Sequence, residues 1–154
     1  PTCTTADIRC VEALAEIAGI EDFKELGMEM FKVKSAVQGT PARDLVMRDF
    51  KDFNMNGHLV GIGQLEVIDL SVFDDIKAEL EADIKALKVE GNRHSVLLLL
   101  TDIMKEGSEL LIISDDNDLT QHAYGKPTVD GKVWLDGVLS RKKQVVPQLQ
   151  AAFA

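Results

Sequence analysis

Ser95-Val96-Leu97-Leu98-Leu99-Leu100-Thr101 is the stretch on which the fold turns. Its continuous apolar run leaves no polar face, so it reads as a strand buried on both sides. Gly91-Asn92-Arg93 closes whatever precedes it, and Lys105-Glu106-Gly107-Ser108 turns the chain after it. Leu110-Leu111-Ile112-Ile113 then reads as a second strand of the same kind. Two inner strands with helices elsewhere imply a sheet covered on both faces.

Upstream, Phe50-Lys51-Asp52-Phe53-Asn54-Met55 and a longer run from His58 to Ile68 flank Asn56-Gly57. Asn-Gly between two alternating runs is a strong hairpin signal. Lys51 shares a face with Phe53 and Met55, which puts it at the strand's mouth or snorkelling past the core edge. His58, beside the turn, reads as an exposed loop histidine. Gly61 and Gly63 lie inside the second strand and predict a bulge or bend there rather than a phosphate loop. Phe73, Ile76, Leu80, Ile84 and Leu87 recur at helical spacing and predict one long helix over about 71–89. Its acidic residues come first and its lysines later, as the helix dipole favours.

Before the hairpin, a helix over 5–18 is capped by Thr4 or Thr5 and ended by Gly19. A second starts at Asp22, with Phe23, Leu26, Met30 and Val33 as its stripe. A third, short one takes Thr40 as N-cap and Pro41 as first residue, through about Arg48. Cys10 reads as a core or half-buried thiol. After the inner strands, Asp115-Asp116-Asn117-Asp118 lacks the glycine and distal glutamate of a calcium loop and reads as helix capping. A short helix over about 117–123, a turn at Asp130-Gly131, a strand from Lys132 to Leu135 and a closing helix from Val145 complete the chain. The expected fold is α/β, a mixed sheet of about five strands with helices on both faces, in one domain over residues 1–154.

The chain has 154 residues, 45% hydrophobic and 28% charged, with a formal net charge of -9. That acidity argues against nucleic acid, which is bound through excess Lys and Arg. No stretch is long and apolar enough to span a bilayer, no signal peptide is visible, and two cysteines make no disulfide framework. A reduced, cytoplasmic setting with no membrane partner is the expectation. A start at Pro1 rather than Met suggests a piece of something longer.

Against this acidity stands Ser140-Arg141-Lys142-Lys143-Gln144. Three adjacent cations delivered to the start of a helix make a plausible anion cradle, because first-turn N–H groups and the dipole favour negative charge. Arginine adds a planar fork and lysine a mobile charge. The bland reading, a solvated basic run, fits the spacing equally well. There is no Walker loop, no G-x-G-x-x-G opening a helix, no C-x-x-C, and no cluster of His and Asp fit for a catalytic metal.

Gly137-Val138-Leu139-Ser140-Arg141-Lys142-Lys143-Gln144-Val145-Val146-Pro147 resembles the C-terminal signature of manganese-dependent (family II) inorganic pyrophosphatases, which carry an S-R-K-K-Q-[IV]-V-P run. Pro1-Thr2-Cys3-Thr4, Ala13 to Ile20, Gly27 to Lys32, Asp49 to Phe53 and Leu100 to Ile103 are similar to that family too. The resemblance implies the C-terminal substrate-binding domain of a two-domain enzyme. Its N-terminal domain, of the DHH phosphoesterase superfamily, would hold the Mn2+ ions and has no counterpart in this sequence. It also implies that Arg141, Lys142 and Lys51 grip pyrophosphate, with Lys143 a secondary contact, and that this chain supplies no metal ligand. The implied partners are pyrophosphate, the chain's own DHH domain and, for the full-length protein, a second copy. The isolated piece would be inactive. An exopolyphosphatase of the same superfamily and a non-catalytic anion-binding module are the alternatives.

Overall fold

The computed structural model describes residues 3–154. The sequence reads as one domain over 1–154, and its backbone contacts gather into two compact units, one ending at Ala36 and one spanning Val37–Ala154.

The first unit is a pair of helices, α1 (Thr5–Ala18) and α2 (Phe23–Lys34). Thr4 caps α1 reciprocally: its hydroxyl accepts from the Asp7 N–H at 3.2 Å, and the Asp7 carboxylate accepts from the Thr4 N–H at 2.7 Å. Gly19, at φ 68°, ends the helix in the left-handed conformation. The Asp22 carboxylate caps α2 by accepting from the N–H groups of Lys24 and Glu25, both at 2.9 Å. The periodic apolar side chains form no enclosed core: Ile8, Val11, Leu14 and Ile17 of α1 and Leu26, Met30 and Val33 of α2 are exposed. Cys10 is likewise exposed, against the expectation of a half-buried thiol. It lies outside the narrow strip of α1 that is covered, where only Ala15 is buried.

The second unit contains α3 (Ala42–Met47), β1 (Phe50–Met55), β2 (His58–Val67), α4 (Lys77–Glu90), β3 (Ser95–Asp102), β4 (Gly107–Ser114), α5 (Leu119–Tyr124), β5 (Lys132–Asp136) and α6 (Val146–Ala152). The five strands form one sheet in the order β1-β2-β3-β4-β5. β2 and β3 are parallel and the other pairs antiparallel, so the sheet is mixed, as the sequence predicts. Every residue of β3 is buried.

The helices divide between the two faces. On the first face, Leu45 and Val46 of α3 and Leu80, Ile84 and Leu87 of α4 pack on Leu65, Val67, Val96, Leu98 and Leu100. On the second, Leu119 of α5 and Val146 and Leu149 of α6 pack on Val60, Ile62, Leu97, Leu99 and Leu110. Period-two alternation along each strand sends neighbouring leucines to opposite cores. That is why the β3 run can be apolar throughout.

Asn56 (φ 52°) and Gly57 (φ 89°) make the left-handed two-residue turn predicted between β1 and β2. The register across this hairpin is unbroken from Phe50↔Gly63 to Met55↔His58. Gly61 and Gly63 therefore mark neither bulge nor bend. Gly61 makes room for Phe50, whose ring would lie 2.3 Å from a β-carbon there, and Gly63 makes room for Leu98, 2.9 Å from a β-carbon at its position.

The predicted long helix is broken. A single tight turn, Leu70–Phe73, is capped by the Asp69 carboxylate accepting from Ser71 N–H at 3.0 Å, and α4 begins only at Lys77. Its apolar stripe is continuous because three-residue and four-residue spacings keep Phe73, Leu80, Ile84 and Leu87 on one side. Thr40 does not cap α3; its hydroxyl accepts from the Arg48 guanidinium at 3.3 Å instead. Before α5 the side-chain work falls to Asp116, which accepts from Asp118 N–H at 2.8 Å.

Candidate anion-binding site

A polar row crosses one end of the second face. Along β2 the side chains facing α6 run Val60, Ile62, Gln64; along β3, Leu97, Leu99, Thr101; along β4, Ile112, Leu110, Ser108. The last member of each series breaks the apolar pattern. Thr101 and Ser108 stand opposite each other in the ladder, and their hydroxyls are 2.8 Å apart. Gln64 donates from its side-chain amide to the Thr101 hydroxyl at 3.0 Å.

Residues 137–141 lie across this row, and nearly all of their polar backbone is engaged. Ser108 donates to the Val138 carbonyl at 2.7 Å, and Gln64 donates to the Leu139 carbonyl at 3.1 Å. Gln144 reaches back to accept from the N–H groups of Leu139 and Ser140, at 2.9 and 3.0 Å, and donates to the Gly137 carbonyl at 2.7 Å. The segment then winds into one wide turn of π type, Arg141–Val145, that runs directly into α6. Ser140 caps it, its hydroxyl accepting from Lys143 N–H at 3.2 Å.

This geometry corrects one expectation. Of the first-turn N–H groups that were to form the cradle, that of Arg141 is given to Gln64 at 3.3 Å and that of Lys143 to Ser140. An anion here must be held chiefly by side chains.

Those side chains have different surroundings. Arg141 is buried, at 7% exposure, and turns in toward the mouth of the β1–β2 hairpin. Its guanidinium donates to the carbonyls of Asp49 and Ile62, the latter at 3.1 Å, and to the Asp49 carboxylate at 2.8 Å. A guanidinium carries five N–H donors; these bonds use two on Nη1 and one on Nη2, leaving Nε and one Nη2 hydrogen for a further acceptor. Lys142 and Lys143 are exposed. Lys143 lines a separate shallow cleft with Lys126 and Asp136.

Lys51, exposed on β1, stands directly opposite Ile62 in the ladder. Ile62 is also the residue whose carbonyl accepts from Arg141. The fold thus brings Lys51 and Arg141 to the same strand segment from distant parts of the chain. Sequence reading missed Asp49, Gln64, Thr101 and Ser108 as supports of this turn. The available signal was a polar residue at the period-two position after Val60-Ile62 and after Leu97-Leu99.

Among the described residues no group of three or more His, Cys, Asp or Glu side chains could hold a metal ion. The described residues therefore offer no donor set for a manganese ion. None of its helices, among the described residues, is long and apolar enough to cross a membrane.

Fold and site together define an α/β domain that mounts a cationic turn on the edge of a mixed sheet. The chain belongs to the DHHA2 domain family, whose model matches residues 28–152. It is 47% identical over 153 residues to a probable manganese-dependent inorganic pyrophosphatase of Archaeoglobus fulgidus, covering 99% of this chain and 48% of that protein. It is 43% identical over 154 residues to the manganese-dependent inorganic pyrophosphatase of Methanocaldococcus jannaschii, covering 99% and 50%. A crystal structure assigned to a family II inorganic pyrophosphatase of Methanococcus jannaschii superposes with a TM-score of 0.85 at 40% identity, over 99% of this chain and 50% of that one. The chain spans about half the length of the relatives it matches.

Proposed function

We propose that this chain is the substrate-gripping half of a manganese-dependent inorganic pyrophosphatase, acting with a metal-holding half that corresponds to the unmatched length of its relatives. The observation that carries this reading is the convergence of Arg141 and Lys51 on Ile62. It makes one cationic edge from two distant segments, within a chain 47% identical to a protein named for this activity.

Pyrophosphate carries several negative charges, and its cleavage builds more on the leaving phosphate. Arg141, held rigid by Asp49, would offer its remaining N–H groups to one phosphoryl oxygen. Lys142 and Lys51, both exposed, would neutralise the rest. Cations fixed before the reaction stabilise such charge without reorganising. Lys143 would contribute only longer-range attraction, since it faces the neighbouring cleft.

The test uses the intact protein with manganese and compares hydrolysis of pyrophosphate with that of longer polyphosphate. Arg141→Ala and Lys142→Ala should each lower kcat/KM on pyrophosphate by roughly a hundredfold, the usual loss when one charge-stabilising donor is removed, with manganese affinity unchanged. Faster hydrolysis of long chains would favour an exopolyphosphatase. Phosphate binding without turnover would favour a non-catalytic module.

A further inference from the structure

We propose that Gln64 is the positioning residue of the basic turn: its side-chain amide sets where Arg141 stands on the sheet and so aligns the guanidinium beside Lys51. The proposal rests on the pyrophosphatase reading above.

The geometry is specific to an amide of this length. Gln64 donates one N–H to Thr101 Oγ1 at 3.0 Å and the other to the Leu139 carbonyl at 3.1 Å, while its Oε1 accepts from the Arg141 N–H at 3.3 Å. It therefore holds the chain on both sides of Ser140. Its backbone N–H donates at 3.3 Å to the Asp49 carbonyl, which also accepts from the Arg141 guanidinium. One residue of β2 is thus bonded to the bed of the turn, to its backbone, and to the group that orients its arginine.

No other side chain offers two donors and an acceptor at this reach. A leucine of similar size would leave the Leu139 carbonyl and the Arg141 N–H without partners. A shorter asparagine would draw the amide away by one methylene. In either case the turn can lift or slide while the sheet beneath it, packed on both faces, stays in place. Gln64 has no need to touch pyrophosphate; it acts through Arg141. Displacing a reacting partner by about 1 Å commonly costs on the order of a hundredfold in rate.

The experiment is a double-mutant cycle in the intact protein, combining Gln64→Leu with Arg141→Ala and reading kcat and KM for pyrophosphate. Gln64→Leu alone should lower kcat/KM by about tenfold or more. In the Arg141→Ala background it should cost less than about twofold, because the residue it serves is gone. An equal loss in both backgrounds, or no loss in a folded Gln64→Leu protein, overturns the proposal. If Arg141→Ala leaves pyrophosphate turnover unchanged, the proposal falls, whereas an intact protein that does not hydrolyse pyrophosphate overturns the pyrophosphatase reading instead. Deuterium uptake gives a readout independent of activity: Gln64→Leu and Gln64→Asn should raise exchange in the 137–144 peptide and leave β3 protected. Uptake that rises equally in β3 would make Gln64 a plain structural residue and defeat the proposal.

Discussion

The second face of the sheet is tied to the C-terminal segment at both ends, by opposite means. Where β2 and β3 finish, the tie is polar: Gln64, Thr101 and Ser108 hold residues 138–141 through directed hydrogen bonds. Where they start, the tie is mainly aromatic: the rings of His58, His94 and Phe153 meet with centroids 4.7 to 5.2 Å apart, supplemented by Asn56 donating to the Phe153 carbonyl at 2.9 Å. Ring contacts tolerate small shifts, whereas directed hydrogen bonds do not. The end that holds the Arg141 guanidinium is the end built from hydrogen bonds.

The largest effect is expected at the middle of this face. Leu99 lies fully buried between the two ends, and Leu99→Ala should destabilise the protein by about 2–5 kcal/mol, loosening both ties together. Urea unfolding followed by circular dichroism measures it. At the polar end, Ser108→Ala strands the Val138 carbonyl and removes the acceptor of the Thr101 hydroxyl. It should cost about 1–2 kcal/mol and weaken pyrophosphate binding as well. At the aromatic end, Phe153→Ala removes a half-buried ring and should cost about 1 kcal/mol with pyrophosphate binding unchanged. If Phe153→Ala impaired binding as much as Ser108→Ala, the division of labour between the ends would collapse.

The smallest expected effect is that of acid. Burial, and then the neighbouring His58, hold His94 below the ordinary histidine value; the carboxylates of Asp115 and Asp116 oppose this and Lys88 adds to it. The folded protein therefore binds this proton less readily than the unfolded chain. Stability is full above about pH 6.5 and declines as pH falls through that value toward the lower folded one. Melting temperature measured across this range should drop on the acid side, and His94→Gln should flatten the drop.

Much of this was legible in the residues. The β3 run, the Asn56-Gly57 turn and the caps at Thr4 and Asp22 are local signals, and each formed the element it predicts. The break before α4 was hidden because a tight turn and a helix keep the same apolar spacing. The glycines of β2 misled because their reason lies across the ladder, in the ring of Phe50 for Gly61 and the side chain of Leu98 for Gly63. The site shows the same divide. The basic run announces itself, but Asp49 and Gln64 acquire their roles only when the sheet brings Asp49 within bonding distance of a residue 92 positions away.

The continuity of the cationic turn with α6 has a consequence for how the molecule is made. All five strands precede this turn in the chain, yet α6 covers Leu99, Ile62 and Leu110. A nascent chain halted at Asp136 would own every strand and α5 and still lack α6 over its second core. Closing that core requires the longest loop closures in the unit, which come late in folding. The step that seals the apolar interior is therefore the same step that delivers Arg141 to Asp49.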